Sequence, residues 1–472
     1  MPLLIRRGEN IKIPHKMAGE MFPFTPSTLR ALQRQREQLE SEDRRRALSI
    51  ELLSRRALTS SPAVRPPVTR RHRFCRDAAI HNALYTGDVE RLKGIFKENG
   101  SADVMVETIS EELQWCPEMG LWSLIPKKSH TSPLRITAGR GYGECVRFLV
   151  SRGAEPNSSV GGRGPLHDAC EGHHAECTQL LLSRGAEANL LSEDGQAPLH
   201  LCSTPETLEC AKLLLDYGAL VNLAGRYTRA TPLHVASGRG LEEHVALYLS
   251  LGADPSARNR EGETPLNAAC AACDNPQHFG RYYRVVDMLL KSGGNPNTPG
   301  KKGHGPLHNA SSNCHLRLAK LLLDHGAAVN VKNSAGYSPL DCALQVCDDY
   351  PNCQPHLLVQ TLLNYGAVPS DPKMWRFCAA SPKTFETLLD AYDHIPTGDS
   401  WVESVPAVTW EEHRPFYESV LQAANQPRSL LHLARYAVRR LYDGQCQRAT
   451  SHLGLPPALS AYVLLQPEGV IH

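Results

Sequence analysis

Long hydrophobic runs are missing from this 472-residue chain: no stretch of ~18 apolar residues occurs, so no segment reads as a membrane-spanning helix. Catalytic signatures are missing as well. There is no nucleophile elbow, kinase signature, H-E-x-x-H or paired acidic site, and "GGRG" (161–164) has the glycines of a phosphate loop without the Lys-Ser/Thr that must follow them. The 15 cysteines lack a framework spacing, which excludes a disulfide scaffold and suits buried thiols in a reducing compartment. The opening "MPLLIRRGENIKIPHK" breaks into basic residues before a signal-peptide core could form, so the chain is expected in the cytoplasm or the nucleus. What is left is a non-catalytic binding protein for which no cofactor, metal or membrane partner is expected.

An excess of one charge is lacking overall, at +2, but the balance is uneven. Residues 1–75 carry 16 Lys+Arg against 7 Asp+Glu, which leaves a net of −7 on the remainder. The segment "STLRALQRQREQLESEDRRRALSIELLSRRAL" reads as an Arg-rich helix that could meet nucleic acid, acidic lipid or a nuclear-import receptor. It has no interleaved aromatics, so a solvated arm, partly helical or disordered, is the plainer account and nucleic acid is not expected as a partner.

What the chain does have is self-similarity. Pro-Leu recurs with prolines at 133, 165, 198, 232, 265, 306 and 339, spaced 32, 33, 34, 33, 41 and 33 residues apart. A line such as "GPLHDACEGHHAECTQLLLSRGAEAN" predicts a helix capped ahead of Pro165, then a second helix with Cys177, Leu180, Leu181 and Leu182 on its apolar side, stopped at Gly185. One such hairpin cannot cover its own apolar face, so the units must stack. The period and the T-P-L-H-x-A pattern resemble the ankyrin repeat, a β-turn followed by two helices. The expected fold is all-α: an ankyrin-repeat solenoid with seven repeats over 131–369, a degenerate capping repeat at 77–100, an insertion at 101–130 and a degenerate last repeat at 370–395. The fifth and seventh repeats are stretched around "CDNPQHFGRYY" and "QVCDDYPNCQPH", additions expected in loops between the two helices.

His167, His200, His234 and His308 recur at one position of the repeat. Lying about a repeat pitch apart they cannot converge on a metal at ~2 Å, and in ankyrin-like repeats this histidine is structural. Cys270 and Cys273 form a lone C-x-x-C without a second pair; Cys270 reads as a small buried position shared with Cys170 and Cys202.

Past the array and a linker at 396–414, the segment 415–472 contains "PRSLLHLARYAVRRL". On a helical wheel Leu430, Leu433, Ala434, Ala437, Val438 and Leu441 share a face roughly 140° wide, with His432, Arg435 and Arg439 opposite. Together with "LGLPPALSAYVLL" this is too short for a core of its own, which below ~40 residues needs outside help. The two pieces resemble the SOCS box, a C-terminal three-helix module, and the combination resembles the ankyrin repeat and SOCS box family. The resemblance implies a substrate-recognition adaptor of an elongin B/C–cullin-5 RING ubiquitin ligase, with elongin C, elongin B, cullin-5 and a RING-box protein as partners beside an unknown protein substrate. It implies elongin C contacts at Leu430 (the anchor), Leu433, Ala434 (where Cys is usual), Val438 and Leu441. It implies cullin contacts at Leu453, Leu455, Pro456, Leu459 and Tyr462, with Gly454 in place of the family's first Pro, a change expected to loosen the loop.

Two other readings compete with the adaptor: a non-ligase ankyrin scaffold whose tail caps the solenoid, and a nucleic-acid or membrane factor driven by the arm. Deleting the tail is expected to separate the first two, since a cap's loss lowers array stability and a docking module's loss does not.

Overall fold

In each of seven repeats, a proline opens the first helix at the position where a missing N–H costs nothing. The computed structural model describes residues 73–75, 78–96, 102, 104–116, 121–395, 399–424, 426–442, 445–469 and 471, so the expected arm lies outside the described residues except for 73–75. A first helix pair, α1 (Ala78–Thr86) and α2 (Val89–Ile95), precedes the proline-led repeats. The seven pairs that follow are α3 (Pro133–Gly139) with α4 (Gly143–Ser151), α5 (Pro165–Glu171) with α6 (Ala175–Ser183), and α7 (Pro198–Leu201) with α8 (Leu208–Asp216). Then come α9 (Pro232–Gly238) with α10 (Glu242–Ser250), α11 (Pro265–Ala271) with α12 (Phe279–Lys291), α13 (Pro306–Ser312) with α14 (Leu316–Asp324), and α15 (Pro339–Gln345) with α16 (Pro355–Asn364). Second helices end on glycines in the left-handed region, as at Gly185 with φ +86°.

The repeats stack through the leucine after each proline, Leu134, Leu166, Leu199, Leu233, Leu266, Leu307 and Leu340, all buried. Each contributes about 1.5–3 kcal/mol by leaving water. Ser132, Thr264 and Ser338 cap their helices by accepting from Arg135, Asn267 and Asp341 backbone N–H. Where the repeat carries histidine, the ring instead reaches back to the N–H of the capping residue. Nδ1 of His167, His200, His234 and His308 accepts from the N–H of Gly164, Ala197, Thr231 and Gly305 at 3.1–3.2 Å. That fixes the proton on Nε2, which donates at 3.0–3.2 Å to Gln196, Ala230, Glu263 and Tyr337 carbonyls in the next turn. Burial lowers the pKa of all four, keeping the rings neutral. A second ladder runs through Asn157, Asn189, Asn222, Asn297 and Asn330, each donating to the stop glycine of the following repeat at 2.9–3.0 Å.

Several details differ from expectation. Cys170 and Cys270 are equivalent, but Cys202 stands one residue nearer its proline and follows the end of α7 at Leu201. The stretch in the fifth repeat is partly helical: after a turn at Pro276–His278 it lengthens α12 to 13 residues, against 9 in α4, α6, α8, α10 and α14. The insertion is a β-hairpin rich in strand-forming residues, β2 (Val104–Cys116) and β3 (Leu121–Thr131), antiparallel from Val106↔Thr131 to Cys116↔Leu121. A short strand β1 (Arg73–Cys75) pairs in parallel with the base of β2.

After α16 the chain makes a 3-10 turn (Pro372–Phe377) and α17 (Pro382–Leu389). The expected linker is not one. Residues 399–404 form a 3-10 turn leading to α18 (Ala407–Glu412) and α19 (Arg414–Ala423), and Trp401 is buried with its ring 5.0 Å from Phe385. Trp410 stacks on Tyr417 at 4.8 Å, and the Tyr417 hydroxyl donates to the Ala379 carbonyl at 2.7 Å. Aromatics are only 6% of the chain, yet three of its five tryptophans (375, 401 and 410) gather where the array ends. Three further helices complete the fold: α20 (Leu430–Leu441), α21 (Cys446–Leu453) and α22 (Pro457–Val463).

Candidate partner-docking surface

A helix with a greasy stripe and a basic back normally turns the stripe inward. α20 does the reverse. His432 and Arg435 are buried, whereas Leu430 is 86% exposed, Leu441 81% and Leu433 40%. The basic face finds partners at the end of the array. Asp390, at the C-terminus of α17, accepts from Arg428 Nη2 at 3.2 Å and lies 2.8 Å from Arg435 Nη2. His432 Nδ1 accepts from the same two guanidiniums at 2.7 and 2.8 Å, so its Nε2–H donates to the Tyr392 carbonyl at 2.7 Å. Arg439 spans to Asn364 Oδ1 at 2.6 Å, Val463 O at 2.7 Å and Leu363 O at 3.0 Å.

The electrostatics follow from that geometry. Burial and the two neighbouring guanidiniums push His432 down to about 4, which keeps it a neutral acceptor. Burial also holds Arg428 and Arg439 below their usual values. Arg428 and Arg435 share one carboxylate, and Arg428 Nε and Nη1 and Arg435 Nε have no hydrogen-bond partner among the described residues. Breaking such a buried cluster costs more than forming it contributes.

The tail closes over the same joint. Leu464 O accepts from Gln360 Nε2 at 2.8 Å and Asn364 Nδ2 at 3.0 Å. Glu386 Oε1 accepts the Gly469 N–H at 2.7 Å, and Leu465 and Ile471 are buried.

Anchored by its polar side, α20 presents Leu430, Leu433 and Ala434 outward, with Val438 half-buried at the edge. Leu453 (47%) and Leu459 (44%) are exposed on α21 and α22, Pro456 is exposed and Leu455 half-buried. Tyr462 sits differently: its ring lies 4.1 Å under the Arg435 guanidinium, and its buried hydroxyl has no hydrogen-bond partner among the described residues. Gly454 ends α21 in the left-handed region at φ +58°, a conformation proline cannot adopt. The sequence pattern missed the anchoring roles of Asp390 and Arg428, each with its partners far away in the chain. On the array, a cleft of about 590 Å³ lies between the last turns and is lined by residues that include Lys332, Tyr337, Val368 and Lys373.

Comparison with known proteins agrees with this division. The ankyrin repeats (3 copies) model matches residues 75–192, 134–225, 174–259 and 272–371, and the SOCS box model matches residues 426–464. The chain is 50% identical over 455 residues to ankyrin repeat and SOCS box protein 16 of Mus musculus, covering 96% of this chain and 100% of that protein. It is 49% identical to the Homo sapiens protein of that name over the same shares. To ankyrin repeat and SOCS box protein 18 of Homo sapiens it is 40% identical over 407 residues, covering 84% and 87%. A repeat array and a C-terminal module, each matched in its own place and both contained in relatives of this length, make the chain a member of the ankyrin repeat and SOCS box family.

Proposed function

We propose that the chain is the substrate-recognition adaptor of an elongin B/C–cullin-5 RING ubiquitin ligase. Membership of the family carries the general role of a non-catalytic ubiquitin-ligase adaptor; the particular partners and contacts are the proposal. The observation that carries it is the outward stripe on α20, since contiguous exposed leucines on a helix whose polar face is buried mark a surface awaiting another polypeptide. In this reading Leu430 enters an apolar pocket of elongin C, with Leu433, Ala434, Val438 and Leu441 around it. Leu453, Leu455, Pro456 and Leu459 face cullin-5, and Tyr462 supports them from below through Arg435. The array holds the substrate, raising its effective concentration near the ubiquitin-loaded enzyme.

The scaffold alternative has one observation in its favour: the tail buries Leu465 and Ile471 against the last repeats, so the module also caps the array. Deleting residues 415–472 therefore destabilises the array under either reading and does not separate them. A point change on the stripe does. Leu430→Ala removes a side chain worth ~1.5–3 kcal/mol in a pocket, so elongin B/C affinity should fall at least about tenfold with thermal stability unchanged. Undiminished co-purification of elongins B and C with the folded variant contradicts the assignment.

A further inference from the structure

The turns between repeats form a ridge along one side of the array, and their tips are tied together. Arg226 N donates to Gly195 O at 2.8 Å, Arg260 N to Thr228 O at 2.7 Å, and Ser334 N to Lys302 O at 3.0 Å. Between the middle two, Lys301 Nζ reaches Glu261 at 2.8 Å. Along this stitched ridge Arg226, Arg229, Arg258, Arg260, Lys302 and Lys332 are exposed and form no ion pair among the described residues. Six free cations on four successive turns stand out on a body that is net acidic outside residues 1–75. The ridge ends at the 590 Å³ cleft, lined by Lys332 with Val368, 66% exposed, by Asp341, and by Lys373 paired with Asp371 at 3.4 Å.

We infer that this ridge recognises an acidic, extended peptide segment of the substrate; the inference rests on the adaptor reading for the word substrate. Long-range attraction steers a negative segment to the ridge, and backbone-tied tips lose little freedom on binding. A polypeptide is favoured over nucleic acid on three grounds. The run is bounded by Glu193 and Asp194 at one end and Asp371 at the other. Tyr227, 53% exposed, and half-buried Tyr337 are the aromatics on the described basic turns, too few for a base-stacking platform. The cleft at the far end offers exposed Val368 and half-buried Pro369 to an apolar side chain, which a peptide has and a phosphodiester lacks.

The test uses the full chain and a short fluorescein-labelled Glu/Asp peptide ending in leucine, read by anisotropy at low and raised salt. The wild type should bind it, more weakly as salt rises. Arg226→Glu, Arg258→Glu, Arg260→Glu and Lys302→Glu together should weaken binding by about tenfold or more, with the corresponding Gln variant intermediate. Elongin B/C capture is measured on the same preparations. Capture retained while the wild type fails to bind the peptide, or while the charge-reversed chain binds it undiminished, overturns the ridge and leaves the adaptor reading intact. Tighter binding of a single-stranded oligonucleotide through the same residues overturns it too. Peptide binding without elongin capture sinks the adaptor reading and leaves the ridge.

Discussion

Two kinds of joint hold this molecule together. Between repeats the contact is mostly apolar and small-sided, with neutral histidine and asparagine ladders that each satisfy one N–H and one carbonyl, and with ion pairs such as Arg135–Asp168 that keep partial contact with solvent. Between the last repeat and the SOCS box the contact is charged and aromatic, with Arg428 and Arg435 buried around a single Asp390, Arg439 half-buried on Asn364, and a tryptophan cluster beside them. The first joint is repeated and redundant. The second exists once, and it decides which way α20 faces. A helix packed by leucine would hide the stripe, whereas one packed by arginine keeps it in solvent.

Removing the charge at the centre of the second joint gives the largest expected effect. Asp390→Ala strands two buried guanidiniums and should cost about 3–5 kcal/mol, read as rapid proteolysis and amide exchange over 428–471 while α5 to α14 stay protected. Equal loosening throughout the array means the joints are not separable. Leu318→Ala makes the opposite break: a fully buried array leucine lost for about 2–5 kcal/mol, lowering the unfolding midpoint of the whole solenoid. His308→Ala leaves the Gly305 N–H and the Tyr337 carbonyl without the ring and should cost about 1–3 kcal/mol, detectable in a urea titration.

Acid sharpens the comparison with the smallest change. His244 and His315 in the array and His432 in the joint are all pushed down to about 4 from an ordinary 6.5. The unfolded chain takes up these protons first, so their contribution is complete above pH 6.5 and is lost as pH falls toward 4. His432→Gln should flatten only the joint's share of that slope, measured by exchange at 430–441 across the window.

The periodic parts were legible from sequence because seven copies of Pro-Leu average out local accident, and the structural role of His167 and its equivalents follows from the same recurrence. The Asn157 ladder carried a comparable signal in "PN", "AN" and "VN" at the ends of five of the seven repeats. The membership of the α20 stripe was legible too, since 3.6-residue spacing fixes which side chains share a face. Its outward direction was implied only by the SOCS box resemblance, and what holds it outward was not legible. Nothing near Arg435 in the chain announces Asp390, and an arginine face reads as solvated until a distant carboxylate is placed under it. Trp401 and Trp410 were hidden for the same reason: the rings they meet, Phe385 and Tyr417, lie across turns that the repeat pattern no longer governs.

Hydroxyl-radical footprinting of the full chain, alone and with purified elongin B/C, tests the central claim most directly. Leu430, Leu433 and Leu441 should label strongly in the free chain and lose most of that labelling in the complex, while Leu318 stays unlabelled in both. Weak labelling of Leu430 in the free chain, or labelling that elongin B/C leaves unchanged, contradicts the account.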